Sequence, residues 1–276
     1  METLLLTHEP TLHFCALFLA IALVAVWEGA APRRRLTASL RTRWLHNLAI
    51  WGLSMLLTRL AFPVTGIAFA LIVGERGWGL FNVVKAPAWL AIGASVLLLD
   101  LAGYLQHRLF HRLPLLWRFH RVHHADPDYD FTLGFRFHPL ETAVGVMAGL
   151  GTIALTGAPV AAVLLHELGF VLVSVFAHAN VGLPSGLEGT LRRVIVTPDL
   201  HRVHHSVLVP ETDSNFGSIF PWWDRLFGTY RDQPEAGHVN MRIGLEELRG
   251  ARCLTIAWML VHPLVPARIE RRLFGS

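Results

Sequence analysis

The 276-residue chain is 53% hydrophobic and only 16% charged, with a mean hydropathy of +0.45. A soluble domain usually carries about 25% charged residues, so this balance favours an integral membrane protein over a soluble one. The formal charge of +4 is almost all arginine, with Lys85 the single lysine; it sits in short runs beside apolar segments, which suits cytoplasmic membrane flanks and leaves no basic soluble domain for nucleic acid.

In chain order, the first apolar stretch, residues 11–31, has the roughly 20 residues that cross a bilayer, and Pro32 with Arg33, Arg34 and Arg35 ends it. It follows Met1-Glu2-Thr3 rather than a basic segment and has no small-residue cleavage site, so it is expected to be retained. A second stretch, residues 45–73, is broken by Arg59 and Pro63 and is expected either to span with a kink or to be a tilted helix with an interfacial lead-in. After the polar, aromatic break at residues 75–79, a third runs from residue 86 to 106 and leads directly into histidines. Residues 107–141 are rich in His, Arg and Asp and lie outside the hydrocarbon. The apolar stretch 142–177 carries Gly157-Ala158-Pro159 near its middle, which predicts a hairpin of two helices. Residues 180–233 are polar, aromatic and punctuated by Gly and Pro; the last apolar patch, Leu254 to Val265, is about a dozen residues and too short to span. The fold class is therefore all-α and membrane-embedded, with about four to five transmembrane or hairpin helices. The arginine bias places the N-terminus outside and all the histidine-rich loops on the cytoplasmic face. Cys15 and Cys253 lie far apart in apolar stretches, which argues against a disulfide or a cysteine-based zinc site.

Eight of the 16 histidines form three clusters: His107 and His111; His120, His123 and His124; His201, His204 and His205. Neutral imidazole is the commonest protein metal ligand, and residues three and four apart share a helix face. Each H-x-x-H-H set is thus able to present three imidazoles together. Eight such nitrogens suit two first-row metal ions with open positions better than one. His178, closing the apolar hairpin, is a candidate ninth ligand, the alternative being an interfacial structural residue. His138 is a candidate ligand, a partner to a ligand, or structural. His166-Glu167 begins like a zinc-protease motif, but Phe170 stands where its second histidine belongs. His8, His13, His46, His238 and His262 are isolated and read as packing or surface residues. Asp100, Asp126, Asp128, Asp130, Glu141, Asp199 and Asp224 lie near the clusters and are candidates to accept the second N–H of a ligand imidazole, or to serve in salt bridges and turns. Trp117, Phe131, Phe135 and Phe176 are candidate linings of a lipid channel, with aromatic packing the plainer role.

The segments around the clusters extend this pattern. Residues 100–124, DLAGYLQHRLFHRLPLLWRFHRVHH, are followed by FRFHPLE at 135–141, TPDLHRVHHS at 197–206, NFG at 215–217 and WDRLFGTY at 223–230. In these the chain resembles the fatty acid hydroxylase/sterol desaturase superfamily of integral-membrane di-iron oxygenases, over roughly Ala86 to Glu247. The resemblance implies N-terminal transmembrane helices and connecting segments over 1–85, a catalytic domain over 86–247 with a cytosolic helical cap, and a membrane-associated tail over 248–276. It implies that His107, His111, His120, His123, His124, His201, His204 and His205 bind the metals, with His178 matching a further histidine of the family. The implied cofactors are two iron ions, with zinc as their substitute in purified protein, together with O2 and an external NAD(P)H-linked electron donor. No fused electron-transfer domain is visible in these residues, so the donor is expected to be a separate ferredoxin or cytochrome b5 type protein with a reductase.

The expected reaction is oxygen-dependent hydroxylation or desaturation of an unactivated C–H bond in a membrane lipid of sterol or fatty-acyl type. A non-catalytic metal-binding or transport protein is the alternative from another class. Transport would place ionisable residues along the spans, whereas these clusters fall at span ends and in loops. An acyl-lipid desaturase is the nearest alternative among enzymes, and the FRFHP and WDRLFGTY segments argue against it.

Overall fold

A computed structural model describes residues 2–265, with side chains from Thr11 onward apart from Leu12; the expected tail over 248–276 lies outside the described residues from 266 on. Ten helices carry the architecture: α1 (Glu2–Ala30), α2 (Leu40–Ala61), α3 (Gly66–Glu75), α4 (Leu80–Val83), α5 (Ala88–Arg112), α6 (Pro114–His124), α7 (Pro139–Thr156), α8 (Val160–Ala177), α9 (Ser185–Leu191) and α10 (Pro198–His204). Among the described residues there is no β-strand, only an isolated bridge between Ser206 and Ile243. The chain is all-α, and segments at His13–Ala30, Leu40–Val83, Ala88–Arg112, Pro139–Thr156 and Val160–Ala177 are long and apolar enough to cross a membrane. Their apolar side chains point outward as readily as inward, with Trp89 75% and Leu155 78% exposed. In water such a surface would aggregate, but in hydrocarbon it is the surface that requires no compensation.

Local chemistry sets the helix ends. Ser39, Thr65 and Thr197 cap α2, α3 and α10 by accepting the amides of Thr42, Ala68 and Leu200. Proline occupies the first turn of α6, α7 and α10, where no amide donor is missed. Gly157 ends α7 in the left-handed region at φ 70°, the turn of the expected hairpin.

The ends of the spans fix their alternation. Glu28, near the end of α1, accepts the amides of Phe131 and Asn180. Arg43, near the start of α2, pairs with Asp126 and Asp130. α5 ends at His111 and Arg112, α7 begins beside His120 through Glu141, and α8 ends at His178. All five ends meet in one polar layer. At the opposite end Gly79 lies against the α7–α8 turn so closely that an added Cβ would sit 2.1 Å from the Gly157 nitrogen. α3 packs at that far end, with Ile67, Ala70 and Val73 against Ile153, Ala158, Val160 and Val163. The expected kinked span over 45–73 is therefore two helices. Of the two only α2 is long enough to cross, because the 10 residues of α3 rise about 15 Å, half of a hydrocarbon core of about 30 Å. The tail patch also does not span: Ile256 donates its amide to His46 Nδ1, and Cys253, Leu254, Trp258 and Met259 are buried.

Candidate metal centre

Three fully buried arginines build the polar layer. Arg43 pairs with Asp126 at 2.9 Å and with Asp130. Arg136 donates to the carbonyls of Val122 and Cys253 and to Asn47 Oδ1. Arg202 donates to Asp199 at 2.5 Å and to the carbonyls of Ala179 and Val181, and lies over the Tyr129 ring. Burial alone would raise the Asp126 carboxyl, but Arg43 and Arg136 hold it below the usual carboxylate range. Guanidiniums tied to loop carbonyls fix the backbone from which the histidines project.

Nine histidines converge in two groups whose ligand atoms lie within 4.8 Å of one another: His107, His111, His120, His124 and His204 in one; His123, His178, His201 and His205 in the other. The expectation that each H-x-x-H-H set serves a single point does not hold. In each set the pair four apart, His120 with His124 and His201 with His205, stays together, while His123 and His204 turn to the opposite group. Four residues of helix amount to about 400°, only about 40° beyond a full turn, whereas three amount to about 300°. The crossing interlocks the groups, because α6 and α10 each contribute to both.

Outer hydrogen bonds aim the rings. His107 Nδ1 faces the Phe216 carbonyl at 2.9 Å, His120 Nδ1 the Glu141 carboxylate at 2.5 Å, His111 Nδ1 the Asp213 carboxylate at 3.2 Å, His178 Nδ1 the Ser174 carbonyl at 2.8 Å and His204 Nδ1 the Ser214 carbonyl at 2.8 Å. Each acceptor places the proton on Nδ1 and leaves Nε2 as a bare lone pair. Yet Nε2 of His107 faces Nε2 of His120 at 3.1 Å, and Nε2 of His201 faces that of His178 at 2.9 Å. The pairs His120–His124 and His201–His205 each stand at 3.2 Å. At His107 and His120 both Nδ1 protons are committed outward, so two bare lone pairs face each other and repel unless a cation lies between them. Two nitrogens about 2.1 Å from one ion, at tetrahedral to octahedral angles, lie about 3.0–3.4 Å apart, so the donor set fits a metal ion in each group. Burial, and then the neighbouring imidazoles, hold His123, His124, His201, His204 and His205 well below the usual 6.5; burial holds His178 at about 4. All six are neutral at pH 7, as metal ligation requires.

The other candidates have different places. His138 lies in neither group: its Nδ1 caps α7 at Leu140 N, and its ring packs on Phe119. Asp100 accepts the amides of Ile219 and Phe220 and the Trp223 indole N–H. Asp126 belongs to the arginines, and Asp199 to Arg202, Arg33 and His238. Asp224 accepts the amides of Phe216 and Gly217 and thereby holds the carbonyl that orients His107; burial pushes its carboxyl up to about 6. Among the described residues none of these four carboxylates meets a clustered imidazole. Of the candidate carboxylates, Glu141 does. Asp213 was missed, because it lies 102 positions from His111 and no spacing announces it. The Ser174 carbonyl was open to inference, since the last carbonyls of any helix lack an internal partner. Phe131 and Phe135 pack on Trp44 and Trp51, while Trp117 lies 5.0 Å from the His111 ring.

The fatty acid hydroxylase family pattern matches residues 92–229, half of the chain, and so takes in all nine histidines. The chain belongs to the fatty acid hydroxylase family. It is similar to the ornithine lipid hydroxylase OlsE of Rhizobium tropici, 29% identical over 57% of this chain and 46% of the relative. It is also similar to the human (Homo sapiens) alkylglycerol monooxygenase, 28% identical over 58% of this chain and 35% of the relative. To the very-long-chain aldehyde decarbonylase GL1-1 of Oryza sativa subsp. indica it is 33% identical, over 66% of this chain and 34% of the relative. The aligned part is thus a third to a half of these relatives' length. No solved structure matches.

Proposed function

We propose that this chain is a membrane-bound di-iron oxygenase that hydroxylates a lipid C–H bond with O2 and externally supplied electrons. The observation that carries the proposal is the pairing of His107 and His120: each commits its Nδ1 proton to an outside acceptor, and they turn bare Nε2 atoms on each other at 3.1 Å. His107, His111, His120, His124 and His204 would hold one ion, and His123, His178, His201 and His205 the other. Two ferrous ions, when bound, supply the activation of O2 that converts C–H to C–OH, with two electrons and two protons reducing the second oxygen atom to water. The chain's own residues orient the imidazoles, keep them neutral and exclude water. The names of the relatives support hydroxylation over desaturation. The polar layer would form a cap on the cytoplasmic face, where a separate ferredoxin or cytochrome b5 type protein delivers electrons. Metal transport is a poorer reading, since most of the imidazoles sit beyond the apolar parts of the spans.

The test is lipid mass spectrometry of host membranes with and without the protein, beside metal analysis of purified material. The wild type should gain a lipid heavier by one oxygen and hold two iron ions per chain. His123→Ala and His204→Ala should each abolish that product and lower the iron. Full activity in either variant, or metal flux without lipid oxidation, would overturn the assignment.

A further inference from the structure

A cavity of about 390 Å³ opens beside the centre, lined by Arg108, Arg112, Asp213, Phe227, Tyr230 and Arg231 among others. We propose that it binds the phosphate or carboxylate head group of an amphiphilic lipid and so presents that lipid as substrate, a reading that rests on the oxygenase proposal above.

Arg108 and Arg112 are four apart on α5, where like charges repel on one helix face. Among the described residues neither is within ion-pair distance of a carboxylate, and Arg231 reaches Glu211 only at 3.7 Å. Three guanidiniums thus converge on one concave space that contains a single carboxylate, Asp213, and guanidinium is the side chain best matched to phosphate and carboxylate. The volume falls within the usual range of small-molecule sites, about 300–1,000 Å³. Arg108 and Arg112 occupy the last turns of a helix long and apolar enough to cross a membrane, and basic residues at the ends of such helices meet lipid head groups. Leu97 and Leu105 lie on the same stripe of α5 toward the membrane and are exposed. A cationic, anion-binding socket continued by an apolar stripe matches the chemistry of an anionic amphiphile, not of a free anion. Asp213 belongs to both places: it lines the cavity and accepts from His111, whose side chain is 1% exposed while that of Asp213 is 55% exposed. A head group held there brings the first carbons of its chains toward the imidazole groups.

The experiment titrates the iron-loaded full chain in detergent with dihexanoyl phosphatidic acid, dihexanoylglycerol and inorganic phosphate. Phosphatidic acid should bind at least about tenfold tighter than either other probe, since one charge-assisted hydrogen bond is worth about that factor. Arg108→Gln with Arg112→Gln should remove the preference, as should Arg231→Gln alone in part, while Arg242→Gln, which does not line the cavity and pairs with Glu246, should keep it. The oxygenated lipid found in the host should carry a phosphate or carboxylate. Equal affinity for the two lipids, retention of the preference by the double variant, or a neutral oxygenated product would overturn the proposal. Phosphate binding as tightly as the lipid would assign the cavity to a free anion. Loss of reduction by an acidic ferredoxin with the lipid preference intact would assign it to the redox partner. Lipid mass spectrometry of host membranes separates the two readings: a preference that persists while no oxygenated lipid forms in the host defeats the oxygenase, not the socket.

Discussion

Each imidazole in the centre must be neutral and correctly aimed, and separate interactions meet the two conditions. Burial, joined by crowding at all but His178, keeps His123, His124, His178, His201, His204 and His205 uncharged, while outer acceptors aim five of the nine. Glu141 is the acceptor with most leverage, because its buried carboxylate accepts from His120 Nδ1 at 2.5 Å and so fixes the ring's tautomer and direction. Glu141→Gln should weaken iron binding or activity about 10- to 100-fold, as partners of metal-bound histidines commonly do, with the helical circular dichroism preserved. A chelator competition measures this; unchanged affinity would remove Glu141 from the centre. The pKa shifts also give a pH dependence in the metal-free protein. Folded-state values are depressed, to about 4 for His178, while unfolded histidine titrates near 6.5. Between those values the unfolded chain binds more protons, so stability is complete above about 6.5 and declines as pH falls toward about 4. Thermal melting of iron-free protein should therefore show a midpoint that falls from pH 7 to pH 5. A flat profile would mean that the rings are not buried neutral.

At the scale of elements, helix geometry divides the ligands, and close packing fixes their distance. Box spacing shows which histidines share a helix face, but it does not show that α6 and α10 each lie between two groups and serve both. Gly134 illustrates the packing. A Cβ there would stand 3.0 Å from His178 Nδ1 and 3.2 Å from Ser174 Oγ. Gly134→Val should push the His178 ring out of the four-histidine group, lower the iron toward one ion per chain and reduce product about a hundredfold, the usual effect of a misplacement near 1 Å. Iron stoichiometry reads this directly, and two ions retained at full activity would contradict it. The closing signature gains a physical meaning at the same scale. Asp224 gathers the amides of Phe216 and Gly217, Asn215 bonds the carbonyls of Leu200 and Arg231, and together they hold the loop that faces His107 and His204.

For the whole molecule, the polar layer is at one end of the spans and the Gly79–Gly157 contact at the other. Arg76 at the end of α3 and Arg242 near the bridge to Ser206 should then lie on opposite sides of the membrane. In intact cells a membrane-impermeant maleimide should label Arg76→Cys and spare Arg242→Cys until the membrane is opened. Labelling of both from one side would overturn the five-span arrangement.

The sequence by itself determined the membrane class, the helical hairpin at Gly157, the single-sided placement of histidine and the likeness to a hydroxylase family, because hydropathy, breakers and box spacing are local in the chain. It was less informative wherever a residue's partner lies far away. For Asp100, Asp126 and Asp199 sequence proximity to the boxes left two roles open, imidazole partner or salt bridge and turn, and each is consumed by a backbone loop or a buried arginine. Asp213 showed no such proximity and does meet a ring. The tertiary structure alone decided the division into five and four, the demotion of α3 from a span and the cavity over His111. Each depends on the directions of side chains brought together from helices up to about a hundred residues apart, and no local pattern encodes those directions.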